Sequence, residues 1–150
     1  MRVALSTMLD TSAERAWAEV QTPRLLDHVA WPVLTFRYIE PVGLVWPEGV
    51  HRALLRGFGV LPLGMQRIDI SKPMPGPNRY QMRDNGSGDL IKRWDHWITI
   101  EPIAPDRCRY TDEVEVSAGI FTPFIWLFAL VFYAHRQSRW RALVKSGFAY

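Results

Sequence analysis

His96 and Asp112 are the residues of this chain whose types and spacing best suit chemistry. Each has inward parity on a strand, within Arg93-Trp94-Asp95-His96 and Tyr110-Thr111-Asp112, and a turn centred on Pro105-Asp106 makes the two strands antiparallel neighbours. That turn sets Asp112 opposite Ile98 or Ile100, with His96 a diagonal or more distant neighbour. An imidazole beside a carboxylate in an apolar chamber can hold a proton near neutral pH and serve as general acid or base. The same pair, buried and hydrogen-bonded, can equally fix strand register.

The other three of the four histidines are placed less favourably. His51 shares parity with Ala53 and Leu55 but borders a Pro/Gly-rich loop. His135 lies on a C-terminal helix, four residues beyond Val131 and seven beyond Phe128, a spacing that turns it toward the sheet. His28 ends a short helix, where the dipole favours a surface cation. No histidine pair has the short spacing of a helix-borne zinc site, and Cys108 is the only cysteine. A metal centre would have to be assembled from the distant His51, His96, Asp112 and His135, so the expectation is no metal and no cofactor. Gly57, Gly59 and Gly64 precede no helix and make no phosphate loop. A Gly-x-Ser-x-Gly elbow is also missing from the sequence.

These residues need a chamber, and the chain has the material for one. Its 150 residues suit a single domain, 1–150, with 48% hydrophobic and 22% charged residues, as in ordinary globular proteins. Seven Trp, seven Phe and five Tyr can fill a core or line a cavity for flat or greasy molecules. A net charge of +3, with basic residues spread along the chain, argues against a nucleic-acid partner. The one basic cluster, Arg136 to Lys145, sits at a helix C-terminus, where the dipole alone explains it. One thiol and no secretory signal in Met1–Asp10 point to the cytoplasm. The apolar run Ile120–Ala134 falls short of the roughly 20 residues of a membrane span and reads as a buried helix.

Val3–Thr7 alternates as a first strand. Thr11 with Glu14 forms a capping-box pattern before a helix over Ala13–Val20, and Thr22-Pro23 opens a second over Pro23–Val29, stopped before Trp31-Pro32. From Leu34 the period changes to two, with strands expected near Leu34–Glu40, His51–Phe58, Met65–Ser71, Asn78–Asp84, Leu90–Ile100 and Arg107–Ala118. Asn85-Gly86-Ser87 spells a hairpin turn, although it also matches a glycosylation sequon. Thr122-Pro123 starts the last helix with the threonine hydroxyl as cap, and Gly147 ends it. Roughly 24 residues at about 1.5 Å each give a rod of about 36 Å, enough to cover a sheet with one apolar face.

Strand, two short helices, six strands and a long terminal helix is the order of the helix-grip fold. The chain resembles the bacterial START-like proteins often labelled SRPBCC or polyketide cyclase/dehydrase-like. The resemblance rests on Ser12-Ala13-Glu14-Arg15-Ala16-Trp17, Arg93-Trp94-Asp95-His96, Tyr110-Thr111-Asp112 and His135-Arg136-Gln137-Ser138-Arg139-Trp140. It implies an α+β fold in which a curved antiparallel sheet of six or seven strands wraps the terminal helix, with an apolar cavity between them. Relatives bind lipids, sterols, polyketides or plant hormones, and some catalyse cyclisation or dehydration. They share no universal catalytic residue, so none is carried over.

The expected function is binding or carriage of a small hydrophobic or amphipathic molecule. Phe36, Tyr38, Tyr80, Met82, Trp94, Ile98, Val114, Phe128 and Val131 would supply apolar contacts, and His96, Asp112 and His135 would meet a polar end. A cyclase or dehydratase using His96 as a proton shuttle is the first alternative, and a protein–protein or membrane-interaction module the second. The terminal helix bears on the latter, being apolar on every side over its first half. Phe124, Leu127, Phe128 and Val131 form the stripe expected to face the sheet. Trp126, Leu130 and Tyr133, on the outer face of helix 123–146, would meet a second subunit, a membrane surface or the loop Val42–Val50. That loop carries Leu44, Val45 and Trp46 and could fold over the cavity mouth.

Overall fold

The computed structural model describes residues 1–74 and 76–150. Seven antiparallel strands make one sheet: β1 Arg2–Leu9, β2 Leu34–Tyr38, β3 Gly49–Gly57, β4 Leu61–Ser71, β5 Tyr80–Gly88, β6 Arg93–Ala104 and β7 Arg107–Ser117. Their spatial order is β1-β7-β6-β5-β4-β3-β2. Two short helices, α1 Ala13–Val20 and α2 Pro23–Ala30, connect the two edge strands, and α3, Thr122–Lys145, follows a single 3-10 turn, Gly119–Phe121. This is the helix-grip α+β arrangement.

Local chemistry explains the helix ends, with two departures from expectation. Ser12, not Thr11, caps α1: its side chain accepts the Arg15 N–H at 3.1 Å. Thr22 caps α2 as expected, accepting the Leu25 N–H at 3.1 Å. Thr122 is already inside α3, so its hydroxyl accepts from the Ala118 N–H and donates to the Gly119 carbonyl instead of capping the helix. At the far end Gly147 takes φ of 69°, and the Phe148 and Gly147 N–H groups close back on the Leu143 and Val144 carbonyls.

A larger correction concerns Asn85-Gly86-Ser87, which lies inside β5; the chain reverses at 89–92, between β5 and β6. Strand neighbours make the glycines essential there. A Cβ on Gly86 would lie 3.1 Å from the Arg67 carbonyl oxygen, and one on Gly88 only 2.8 Å from that of Met65. β4 and β5 approach too closely for side chains at those points, and this decides strand over turn. β4 also begins earlier than expected, at Leu61, and β6 runs on to Ala104.

The α3 backbone packs chiefly on β1, β7 and α2. Its buried stripe is Ala129, Phe132, Tyr133, Arg136, Gln137, Trp140, Leu143 and Val144, at the three-and-four spacing of one helical face. The expected faces are therefore exchanged. Phe124, Leu127 and Val131 stand in the open, and Tyr133 is fully buried. Trp126 is half-buried and donates to the Arg2 carbonyl at 2.8 Å, while Leu130 packs on the core. Gly119–Lys145 is 27 residues long and contains an 18-residue stretch with a mean hydropathy of 1.3, so by length and composition it does reach what a membrane span needs, contrary to the count over Ile120–Ala134 alone. Its buried stripe carries core for the sheet, as a covering helix requires. The period that separates these faces is set by Arg136 and Gln137, polar residues on the inner side that a purely apolar stripe passes over.

Candidate functional site

Because α3 rests on the β1–β7 side, the concave face of β3 to β6 is left partly uncovered. A cavity of about 260 Å³ remains between them, close to the lower end of the roughly 300–1,000 Å³ usual for ligand pockets. Its walls come from every layer: Leu25 of α2, Leu55 of β3, Ile68 and Ile70 of β4, Met82 of β5 and Ile98 of β6. Alternation in each strand turns these side chains inward, as parity requires. At the rim stand Met65, Leu90 and Phe128, all exposed. Trp46, only 2% exposed, is part of the wall, and its backbone N–H donates to the Gln21 carbonyl at 2.7 Å. The loop around Trp46 thus contributes a fixed wall, while Leu44 and Val45 remain outside.

Polar groups gather in one part of this apolar chamber. The observed register pairs Ile98 with Asp112 and His96 with Val114, which makes His96 and Asp112 diagonal neighbours. His96 Nε2 lies 2.8 Å from Asp112 Oδ1. Tyr110 donates its hydroxyl to the same oxygen at 2.8 Å, and Gln137 Nε2 donates to Oδ2 at 3.0 Å. Burial alone would raise Asp112. The bonds from His96 and Gln137, with the charge of Arg136, outweigh it and hold the carboxyl below its ordinary value. Burial pulls the His96 imidazole down despite Asp112. The pair is thus a carboxylate and a neutral imidazole whose Nε2–H donates, which makes Nδ1 the acceptor.

Asp84 and Arg136 complete the polar end, both lining the cavity. Asp84 Oδ1 accepts the Asp69 N–H at 2.8 Å, yet burial pushes its carboxyl up to about 7. Arg136 is 8% exposed, and its guanidinium carbon lies 5.0 Å from the Tyr133 ring centre and 5.8 Å from that of Phe132. Burial would weaken its charge, but Tyr110, Asp112, Tyr133 and Asp84 surround it at longer range and keep it cationic. Trp94 Nε1 donates to the Tyr133 hydroxyl at 3.1 Å, fixing both rings at the cavity wall.

Six of the twelve residues expected to contact a ligand line this cavity: Phe36, Met82, Trp94, His96, Ile98 and Phe128. Asp112 does not line the cavity but is bonded to His96, which does. Val114 is buried in the core on the β1–β7 side. Tyr38 turns away to donate to Asp27 at 2.9 Å, and Tyr80 stacks on Trp17 at 5.5 Å. Val131 is exposed, and His135 reaches the Trp31 carbonyl at 2.9 Å, outside the chamber. His51 likewise bonds to the Pro47 carbonyl at 3.0 Å. Among the described residues, no three His, Cys, Asp or Glu side chains gather as a metal would need. Asp84 and Arg136 line the cavity as well, outside the expected set. Asp84 follows Tyr80 and Met82 at strand parity, and Arg136 follows Phe132 and Tyr133 at helical spacing, so both signals were present.

A sequence-family profile described as "Domain of unknown function (DUF8410)" matches residues 7–144. No curated protein matches the sequence. Solved structures share its fold at low identity. A START superfamily protein from Mycobacterium smegmatis is 16% identical, covering 97% of each chain with a TM-score of 0.64. A Chromobacterium violaceum protein is 16% identical, covering 95% of this chain and 96% of its own, with a TM-score of 0.70. A norcoclaurine synthase point mutant from Thalictrum flavum, solved with a transition-state analogue, is 14% identical over 98% of this chain and 95% of its own, with a TM-score of 0.64.

Proposed function

The chain belongs to the DUF8410 family and has the START-like helix-grip fold, and from that premise we propose that it binds and carries one small hydrophobic or amphipathic molecule in its cavity. One observation carries the reading: a chamber whose apolar walls come from β2 to β6 and all three helices, with a few polar side chains, His96, Asp84 and Arg136 among them, set into those walls. A core meant only for stability closes such a space, because each missing contact costs packing energy. An unfilled chamber with an exposed rim is better explained by an occupant. A single buried thiol suits a reducing compartment, and we place this carrier in the cytoplasm.

Native mass spectrometry of the purified protein tests the reading, with organic extraction and identification of any released molecule. A discrete added mass that extraction removes supports it. Met82→Trp, which fills the chamber from β5, should purify without that mass; retention of the same mass would place the molecule elsewhere and defeat the proposal.

A second reading rests on His96, a neutral imidazole at the cavity wall whose Nε2 is committed to Asp112. That arrangement suits proton transfer by Nδ1, as a cyclase or dehydratase would require. His96→Gln would then abolish turnover of the extracted molecule while leaving its affinity within about tenfold. Loss of affinity without any turnover in the parent protein returns the site to simple binding.

A further inference from the structure

Among the described residues, Arg136 is the one charged side chain of the cavity that the fold leaves without a direct partner. It is 8% exposed and lines the chamber. Its Nε is shielded from solvent and makes no hydrogen bond to any described residue. No described carboxylate stands within ion-pair distance. Asp112, the obvious candidate, is occupied by His96, Tyr110 and Gln137. Asp84 accepts from the Asp69 backbone. The contacts that Arg136 does make are with the faces of Tyr133 and Phe132, which orient a guanidinium without using its N–H groups.

A buried guanidinium with unused donors is costly, and its planar fork matches a carboxylate through two parallel hydrogen bonds. We infer that Arg136 anchors the anionic head of the cavity's ligand, and that this head is a carboxylate on an otherwise apolar body. The inference rests on the carrier reading above and narrows it to a chemical class. Charge limits the head to one unit: the Asp112 carboxylate already lies in the field of Arg136, and Asp84 is an acidic group that a dianionic phosphate would have to keep protonated. Size agrees, since about 260 Å³ favours a short chain or one small ring system over a phospholipid. The same walls also hold Leu25, Leu55, Ile68, Ile70 and Met82, a lining for hydrocarbon.

Decanoate and 1-decanol, which share a chain and differ in the head, provide the test by isothermal titration calorimetry at pH 6.5. The parent protein should bind decanoate at least tenfold more tightly than 1-decanol. In Arg136→Met the preference should disappear, with 1-decanol affinity changed less than threefold. Arg136→Lys, which keeps the charge but not the fork, should retain only part of it. The ligand-free Arg136→Met protein should melt no lower than the parent, because it loses a buried charge with no direct partner. Equal binding of both probes, or an unchanged preference in Arg136→Met, overturns the anchor while leaving the carrier reading intact. A large fall in the melting temperature of ligand-free Arg136→Met assigns the side chain to the fold and overturns the anchor too. Binding of neither probe by the parent defeats both proposals.

Discussion

Replacing Asp84 by asparagine alters the charge at the polar end of the cavity while keeping an oxygen for the Asp69 N–H. Burial raises the Asp84 carboxyl from 3.8 to about 7, a change equivalent to about 4 kcal/mol at about 1.36 kcal/mol per pH unit. The sign follows from proton counting. Between those values the folded state holds a proton that the unfolded chain has released, so unfolding liberates it and stability declines as pH rises. The contribution is complete below about 3.8, is lost through about 7, and changes no further above that. His96 acts oppositely: its lowered value withdraws stability as pH falls through 6.5. Asp112, also lowered, withdraws stability below 3.8. Subtracting the Asp84→Asn curve from the parent curve removes both. Water in the cavity screens part of the charge, so Asp84→Asn should be more stable by about 2–4 kcal/mol at pH 8, with the gap shrinking to about 1 kcal/mol or less at pH 4.5. Urea unfolding followed by tryptophan fluorescence at half-unit pH steps measures the difference. A difference that does not vary with pH, or a variant less stable at pH 8, would refute the buried, proton-holding carboxyl.

The same charges govern ligand binding. Asp84 faces the cavity beside His96 of β6, within the fields of Arg136 and Tyr133 of α3 and of Asp69 and Asp95 on β4 and β6, and a bound carboxylate holds the Asp84 proton more firmly. Decanoate affinity should therefore fall at least threefold between pH 6 and 8.5, while 1-decanol affinity stays level in the same calorimeter. Asp112→Ala strands three buried donors and should cost about 3–5 kcal/mol in urea unfolding. Trp46→Ala removes part of the cavity wall and should cost a similar amount, about 3–5 kcal/mol, with a fall in the melting temperature. Gly88→Ala sets a Cβ 2.8 Å from the Met65 carbonyl oxygen and should destabilise the β4–β5 pair by about 1–3 kcal/mol, read as faster amide exchange along β5.

The order of the elements was legible because each carried its own period and punctuation. The Ala13–Val20 and Thr22-Pro23 signals needed no tertiary information, and counting residues back from one turn made His96 a diagonal or more distant neighbour of Asp112; the observed register makes it the diagonal one. Asn85-Gly86 misled because a turn dipeptide and a crowded strand both demand glycine, and only the position of Arg67 on the neighbouring strand distinguishes them. On α3 the apolar residues surround the first half, so hydropathy alone did not reveal which side faced the sheet. Arg136 and Gln137 broke the tie toward the buried face, an arrangement that looks wrong until the cavity and Asp112 are seen. Tyr38 and Tyr80 had the right parity but lie near the α1–α2 end, where Asp27 and Trp17 claim them. Parity gives the face of a residue; only the position of the helix tells whether that face is hollow or packed.

The hollow itself is open to a direct measurement with a neutral apolar dye, N-phenyl-1-naphthylamine, titrated into the parent protein and Met82→Trp under matched conditions. The expected result is a saturable, one-to-one rise in dye fluorescence for the parent, accompanied by quenching of Trp94, and neither signal in a folded Met82→Trp. Equal dye binding by both proteins, or none by the parent, would contradict a ligand chamber beneath the terminal helix.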